Sequence, residues 1–203
     1  MLKKIINIPW FWKFFQNLVG ADPWKLSLYP KVFKKPGKIL DFGCSIGNSV
    51  PAFLDFEYYG VDIDKNAIDT AKKTYSKYKN ITFSDRDILI SPFKPEFFDY
   101  ILFACTGHHL TTDYLNKCID VLLKELKPGG ELHFFDVIKQ VEKDKLITQF
   151  FVNYDQGKYM RTIDEYKKIF VPNKYKISNI QIFPSPDKLI KLQDMFYLKI
   201  VKQ

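Results

Sequence analysis

The sequence contains few cysteines and no long apolar run. Cys44, Cys105 and Cys118 are far apart and have no metal-ligand spacing, so neither a disulfide framework nor a cysteine metal site is indicated. A reducing cytoplasm is therefore the expected compartment, with the cysteines acting as small buried apolar side chains. Because no run of about eighteen apolar residues occurs, no membrane-spanning helix is predicted.

Acidic residues are fewer than basic ones. The 23 Asp and Glu against 31 Lys and Arg give a formal net charge of +8, which can indicate an anionic partner such as nucleic acid or an acidic membrane surface. The basic residues are spread along the whole chain and form only short pairs such as Lys34-Lys35. A nucleic-acid site more often shows a basic cluster or tail, so a nucleic-acid partner is the less favoured interpretation.

The N-terminal segment combines two early lysines with apolar and aromatic side chains, as a secretory signal does. Pro9, Lys13, Gln16 and Asn17 interrupt the apolar stretch, so we expect an aromatic amphipathic helix that packs on the domain. The 203 residues, 46% of them hydrophobic, suffice for one sizeable core. We therefore expect an N-terminal aromatic helical cap over 1–36 and one main domain over 37–203.

Short apolar runs alternate with helical patterns along the chain. Strands are predicted at 38–42, 58–62, 81–84, 100–104 and 131–135, with two later strands at 175–183 and 195–202 after a helical region over about 142–170. The clearest helical faces are Ala67, Ile68, Ala71, Tyr75 and Tyr78, with Asp64 as N-cap, and Leu115, Cys118, Ile119, Leu122, Leu123 and Leu126. This order predicts an α/β fold: a mostly parallel seven-stranded sheet between helices, closed by an antiparallel C-terminal hairpin.

A glycine-containing turn follows the first predicted strand. Gly43 and Gly47 let the backbone approach a ligand at the carboxyl edge of the sheet, where doubly wound folds bind nucleotides. Asp62 ends the next strand 19 residues after Gly43, close to the spacing at which such folds place the acid that binds ribose hydroxyls. Asp87 follows the third strand. Each feature alone is an ordinary turn, but together they predict a nucleotide-like cofactor at that edge.

Five segments resemble the class I S-adenosylmethionine-dependent methyltransferases. ILDFGCSIG is similar to the family's cofactor-binding loop, YYGVDID to its ribose-binding strand end and FSDRDI to its adenine-contacting segment. FFDYILF with CTGHHL, and LKELKPGGELHFFD, resemble the fourth strand and the helix, turn and fifth strand. The resemblance covers 38–136, about half the chain. It implies a Rossmann-like three-layer sandwich that uses S-adenosyl-L-methionine and releases S-adenosyl-L-homocysteine.

The resemblance also implies roles for individual residues. The implied cofactor-binding positions are Asp41, Gly43, Cys44, Ser45, Gly47, Asp62, Ile63, Asp87, Ile88, Ala104 and Cys105. Asp62 would hold both ribose hydroxyls, and Asp87 would accept from the adenine amine. Ser45 departs from the family pattern, because it stands where the central glycine of Gly-x-Gly-x-Gly is usual. A side chain there narrows the room for backbone torsions and for the ligand.

His108 and His109 follow the fourth strand on the side where an acceptor should enter. Either could be a general base, since neutral imidazole can take a proton near pH 7. The alternative is that they only pack and satisfy backbone groups, and this is the favoured interpretation for His109. A base is optional, because methyl transfer from a sulfonium mainly needs an in-line nucleophile and exclusion of water. No metal is predicted at the site.

The expected acceptor is a small molecule, apolar or planar. The segments outside the resemblance are rich in aromatics, namely Trp10, Phe11, Trp12, Phe14, Phe15, Trp24, Phe150, Phe151, Tyr154 and Tyr159; these either line an acceptor pocket or only pack. The fourth strand is not followed by the Asn-Pro-Pro-Tyr type of motif found in DNA amine methyltransferases. An RNA or other nucleic-acid methyltransferase, an NAD-dependent oxidoreductase and a non-catalytic cofactor-binding protein remain alternatives.

Overall fold

A computed structural model describes residues 21–139, 158–170, 176–185 and 194–203. The helices are α1 (Ala21–Val32), α2 (Lys65–Thr74), α3 (Thr112–Glu125) and α4 (Ile163–Phe170). The strands are β1 (Lys38–Phe42), β2 (Glu57–Asp62), β3 (Ile81–Asp85), β4 (Phe98–Ala104), β5 (Leu126–Val137), β6 (Ile177–Phe183) and β7 (Met195–Val201). Short 3₁₀ helices lie at Val50–Ala52 and Gly107–His109. In this part of the chain, no helix is long and apolar enough to cross a membrane.

The seven strands form one sheet in the order β3-β2-β1-β4-β5-β7-β6. Strands β1 to β5 run parallel, with Ile39 of β1 opposite Tyr58 of β2 on one side and Tyr100 of β4 on the other. Strand β7 pairs antiparallel with both β5 and β6, so it forms the expected C-terminal hairpin. Strands β2 and β3 lie on one side of β1, and β4 and β5 lie on its other side. The carboxyl ends of β1 and β4 are therefore the switch point where such folds bind ligands.

Successive strand residues point to opposite faces, and each face carries its own core. Ile39 and Leu102 face one of these cores. It also contains Tyr29 of α1, Phe33 just after α1, and Ile68 of α2. The neighbouring residues point the other way, towards α3 and α4, whose buried apolar side chains are Leu115, Cys118, Ile119, Leu122, Tyr166 and Phe170. The result is the predicted three-layer sandwich.

The ends of two predicted elements differ from the pattern. Helix α2 begins after Asp64, whose side chain accepts from the amides of Asn66 and Ala67, as expected of an N-cap. It ends at Thr74, with Tyr75 as the C-cap. Tyr78 lies beyond the helix, in a turn in which its amide donates to the Tyr75 carbonyl over 3.0 Å. Leu126 is the first residue of β5 and not part of α3, since its backbone pairs with Phe98 of β4.

Residues 1–20 of the predicted cap and residues 142–157 of the predicted helical region lie outside the described residues. The same holds for the aromatic residues Trp10, Phe11, Trp12, Phe14, Phe15, Phe150, Phe151 and Tyr154. Of the cap, α1 is described. Its Leu28 and Tyr29 are buried, and the Tyr29 ring meets that of Phe135 edge-on at a centroid distance of 5.5 Å. This helix therefore packs directly on the sheet near the carboxyl end of β5.

Candidate functional site

The glycine turn after β1 is a compact loop attached to the end of β2. The amides of Gly43 and Cys44 both donate to the Val61 carbonyl, over 2.9 and 3.0 Å. Gly43 and Gly47 have left-handed φ values of 76° and 81°, which glycine adopts without a steric penalty. At Gly43 a Cβ atom would also overlap the Thr106 side chain. The loop therefore packs closely against Thr106, two residues after the end of β4.

Ser45 adopts the left-handed conformation expected of the glycine that it replaces, with φ of 49°. Its side chain is exposed, and its amide donates a 2.9 Å hydrogen bond to Asp62 Oδ2. A non-glycine residue in this region is strained by roughly 1–2 kcal/mol. The serine therefore preserves the loop geometry at a cost in stability.

The Asp62 carboxylate is fixed by main-chain donors on both of its oxygens. Oδ2 accepts from Ser45, and Oδ1 accepts from the Asp64 amide over 3.0 Å. Each carboxylate oxygen can accept about two hydrogen bonds, and the side chain is only partly buried. Ile63, beside it, is 78% exposed. A rigid acceptor pair and an exposed apolar side chain thus stand together at the end of β2.

Asp87 lies on the turn after β3, on the same edge of the sheet. Its Oδ1 accepts from the Leu89 amide over 2.9 Å, and its Oδ2 accepts from the Tyr114 hydroxyl over 3.1 Å. Ile88 is buried in the core on the α3 side, which fixes the backbone next to Asp87. The structure therefore gives this carboxylate a defined orientation.

Asp41 lies behind the glycine loop and is buried. The Tyr58 hydroxyl donates a hydrogen bond to its carboxylate. Burial raises the pKa of Asp41 to about 6; hydrogen bonds from Tyr58 and Ser49 oppose this shift, and the nearby Asp62 charge adds to it. Asp41 is therefore buried behind the glycine loop, where Tyr58 holds it, and is not exposed at the surface of the loop.

The end of β4 meets the glycine loop at Thr106. Ala104 and Cys105 are half-buried, and Cys105 has a left-handed φ of 52°. The Cys105 amide donates to the Phe135 carbonyl of β5 over 2.8 Å, which anchors the turn to the neighbouring strand. Backbone in this region is uncommon for a residue with a side chain and is often found at functional sites.

His108 forms a buried pair with Asp136. The ring Nδ1 of His108 is hydrogen-bonded to Asp136 Oδ1, which also accepts from the Val137 amide. A carboxylate can only accept, so Nδ1 carries the proton and Nε2 is the basic nitrogen of the neutral ring. The two side chains are 4% and 0% exposed. His109 is exposed, so the structure separates the two histidines into a buried and a surface residue.

Arg161 holds the turn that carries His108. Its Nη1 donates to the carbonyls of Gly107 and Tyr159, over 2.9 and 3.0 Å. Its Nη2 donates to the Leu110 carbonyl and the Thr112 hydroxyl, over 2.8 and 3.2 Å. The guanidinium is buried, yet both of these nitrogens have acceptors, so its desolvation is compensated.

The comparisons with known proteins agree with this geometry. Residues 39–130 match the family model of a methyltransferase domain, and the strand order is that of the class I fold. Residues 39–130 therefore form a methyltransferase domain, and the chain has the fold of the S-adenosylmethionine-dependent methyltransferases. No curated protein sequence matches this methyltransferase.

Several solved structures share the fold of the methyltransferase at low sequence identity. YcgJ from Bacillus subtilis is 16% identical with a TM-score of 0.67, over 89% of this chain and 99% of that chain. PH0226 from Pyrococcus horikoshii OT3 is 18% identical with a TM-score of 0.67, over 98% and 93%. The N-methyltransferase NodS from Bradyrhizobium japonicum WM9, in complex with S-adenosyl-L-homocysteine, is 17% identical with a TM-score of 0.65, over 90% and 85%.

Sequence reasoning missed three residues of the candidate site. Asp136 carried a signal, because it ends the fifth strand on the edge that holds the other acids. Tyr114 is at the start of a helix, where only its contact with Asp87 marks it. Arg161 had no signal, since Gly107 and Leu110, the residues of the His108 turn that it bonds, lie about fifty positions earlier in the chain.

Proposed function

We propose that the methyltransferase binds S-adenosyl-L-methionine along the glycine loop and methylates a small-molecule acceptor at the carboxyl ends of β4 and β5. The observation that carries the proposal is the Asp62 carboxylate. Two main-chain amides hold it, and the acceptor positions that remain suit the two hydroxyls of a ribose. A carboxylate fixed in this way needs little reorganisation when the ligand binds.

The remaining residues fit the cofactor in the following way. The backbone of Gly43, Cys44, Ser45 and Gly47 passes under the cofactor, with Asp41 supporting the loop. The exposed Ile63 packs on the adenine ring, whose amine donates to Asp87 and whose ring nitrogen meets the Ile88 amide. Ala104 and Cys105 form the floor near the reacting centre. Burial of Ile63 on binding would remove exposed apolar surface from water.

When bound, S-adenosyl-L-methionine supplies a methyl group on a sulfonium whose positive charge disappears on transfer. The protein then needs to align the acceptor in line and to exclude water. His108 is the proposed base: with Nδ1–H held by Asp136, its Nε2 accepts the proton that an O–H or N–H acceptor loses. His109, on the surface, is the weaker candidate.

A small molecule is the proposed acceptor because the end of β4 meets apolar and aromatic groups. Phe134 and Phe135 lie near the end of β5, and α1 brings Tyr29 against Phe135. Tyr159, 40% exposed, lies beside the His108 turn, where its amide donates to the His108 carbonyl over 2.9 Å. We also propose that the cap over 1–36 helps to close this side of the domain over 37–203.

A ligand screen tests the proposal. We expect S-adenosyl-L-methionine and S-adenosyl-L-homocysteine to raise the melting temperature and NAD to leave it unchanged, with calorimetry giving the dissociation constants. A pure, folded protein that binds neither sulfur compound at millimolar concentration would contradict the proposal. Stabilisation by NAD alone would favour the oxidoreductase alternative.

The net charge of +8 supports one alternative acceptor, nucleic acid. Because the basic residues are dispersed, we expect oligonucleotides to bind weakly, without sequence preference, and with an affinity that falls steeply as salt increases. Fluorescence anisotropy with labelled RNA and DNA measures this. A submicromolar, sequence-dependent affinity at physiological salt would instead make a nucleic acid the acceptor.

A further inference from the structure

Tyr114 lies in the first turn of α3, with its hydroxyl pointed at the adenine side of the site. The Thr111 hydroxyl caps this helix by accepting from the Tyr114 amide over 3.2 Å, so the cap fixes the backbone of the tyrosine. The half-buried side chain then reaches Asp87, where its hydroxyl donates to Oδ2 over 3.1 Å. Helix α3 is thereby connected to the turn after β3.

The direction of this hydrogen bond is determined. Burial, and then the hydrogen bond and charge of Asp87, raise the pKa of Tyr114 to about 12. The phenol is therefore protonated at neutral pH, and it donates to a carboxylate that can only accept. The other Asp87 oxygen accepts from the Leu89 amide. Two donors from different elements thus fix the rotation of one carboxylate.

We propose that Tyr114 is a positioning residue that orients Asp87 towards the 6-amino group of the cofactor's purine ring, so that the site selects 6-aminopurine over 6-oxopurine ligands. This inference rests on the proposed function, because it needs the adenine at Asp87. An oriented carboxylate accepts from a 6-amino group and is repelled by a 6-oxo oxygen. A carboxylate free to rotate discriminates less between the two.

The neighbouring groups support an electrostatic role for this edge. Burial and the charge of Asp87 raise the pKa of the Cys118 thiol to about 12. The electrostatic effect of Asp87 is therefore felt at the next turn of α3. Arg86 adjoins Asp87 in sequence, but its guanidinium lies 4.1 Å from the Phe93 ring centroid. Among the described residues, the hydrogen bonds to the Asp87 carboxylate thus come from Tyr114 and from its own turn.

The test compares two ligands: S-adenosyl-L-homocysteine and its deaminated analogue S-inosyl-L-homocysteine, in which a 6-oxo group replaces the amine. Calorimetry on Tyr114→Phe should give about tenfold weaker binding of S-adenosyl-L-homocysteine. The preference over the deaminated analogue should fall by roughly fivefold. In an Asp87→Ala background, adding Tyr114→Phe should change the preference no further, since the two groups act as one unit.

Two further variants make the result decisive. Tyr78→Phe is the matched control, because Tyr78 precedes the amino end of β3 whereas Asp87 follows its carboxyl end. Both affinities should stay at the wild-type values. Tyr114→Met replaces Tyr114→Phe if the latter does not fold. Wild-type binding combined with an unchanged preference in the Tyr114 variant would overturn the inference alone. No binding of S-adenosyl-L-homocysteine to the wild type would overturn the proposed function and the inference with it.

Discussion

The main-chain amide of Ser45 donates a hydrogen bond to the Asp62 carboxylate over 2.9 Å. This contact joins the loop after β1 to the end of β2, so the glycine loop and the candidate ribose ligand form one unit. A change at either residue should therefore affect the other. Asp64, two residues further, has a different task, because its side chain caps α2.

Replacing Asp62 should weaken cofactor binding strongly. Asp62→Ala removes two charge-assisted hydrogen bonds to the ribose, and we expect a loss on the order of 2–4 kcal/mol, about thirtyfold to a thousandfold in the dissociation constant of S-adenosyl-L-homocysteine. Asp64→Ala is the matched control: it should lower the free energy of unfolding by about 1 kcal/mol and leave the affinity nearly unchanged. Calorimetry and melting of both apo variants separate the roles. The reverse pattern would show that Asp62 is structural.

Replacing Ser45 by glycine should stabilise the apo protein. The left-handed φ of 49° strains a serine, and its relief exceeds the entropy cost of glycine by about 0.5–1 kcal/mol. The melting temperature should rise by about 2 °C. Gly43→Ala should do the opposite, because the new methyl overlaps Thr106. A lower melting temperature for Ser45→Gly would mean that the serine side chain makes a stabilising contact.

Glu125 gives stability a pH dependence. It is 1% exposed, and its Oε2 has no hydrogen-bond partner among the described residues, while Oε1 accepts from the Phe93 amide. Burial raises its pKa to about 7; the Phe93 bond and the Arg86 charge oppose the shift. The folded state therefore binds this proton more tightly than the unfolded state, so the contribution is complete at low pH and is lost as pH rises through about 7.

Glu125→Gln should remove that dependence, because glutamine keeps the acceptor for Phe93 and carries no charge. Between about pH 4 and about pH 8, the variant should gain roughly 3 kcal/mol in free energy of unfolding relative to wild type. Urea denaturation at several pH values measures the difference. A constant difference across that range would contradict the raised pKa.

The His108 ring should carry its proton on Nδ1. The chain has three histidines, so ¹⁵N–¹H NMR of the imidazole rings can be assigned by single substitutions. In the wild type we expect His108 as the Nδ1–H tautomer, and Asp136→Asn should change its ring nitrogen shifts, since an amide can donate as well as accept. His133 is the internal control, because its ring bonds Tyr197 and Glu131 instead. An Nε2–H tautomer in the wild type would contradict the proposed base.

Much of the fold could be predicted from local sequence. The strand at 38–42 has the predicted bounds and the N-cap at Asp64 was identified, because alternation, turn glycines and caps are local signals. The errors lie at element ends, such as Leu126, where pairing with Phe98 extends β5. Such pairing depends on residues that are distant in sequence.

The candidate site divides in the same way. The glycine loop follows the short apolar strand β1, and Asp62 ends β2, so their spacing in the sequence indicates both. The hydrogen bond between His108 and Asp136, and the hydrogen bonds from Arg161 to the turn that carries His108, join segments that only folding brings together. A single sequence contains no local pattern for such contacts.

The Tyr75 hydroxyl donates to the Gly47 carbonyl over 2.9 Å, and Tyr75 is also the C-cap residue of α2. The glycine loop is thereby attached at its far end to the C-terminal end of α2. Any opening of the loop must break this bond or carry the last turn of α2 with it. Loop fluctuation and fraying of the helix end are therefore a single local unfolding event, and whatever suppresses one should slow amide exchange in the other.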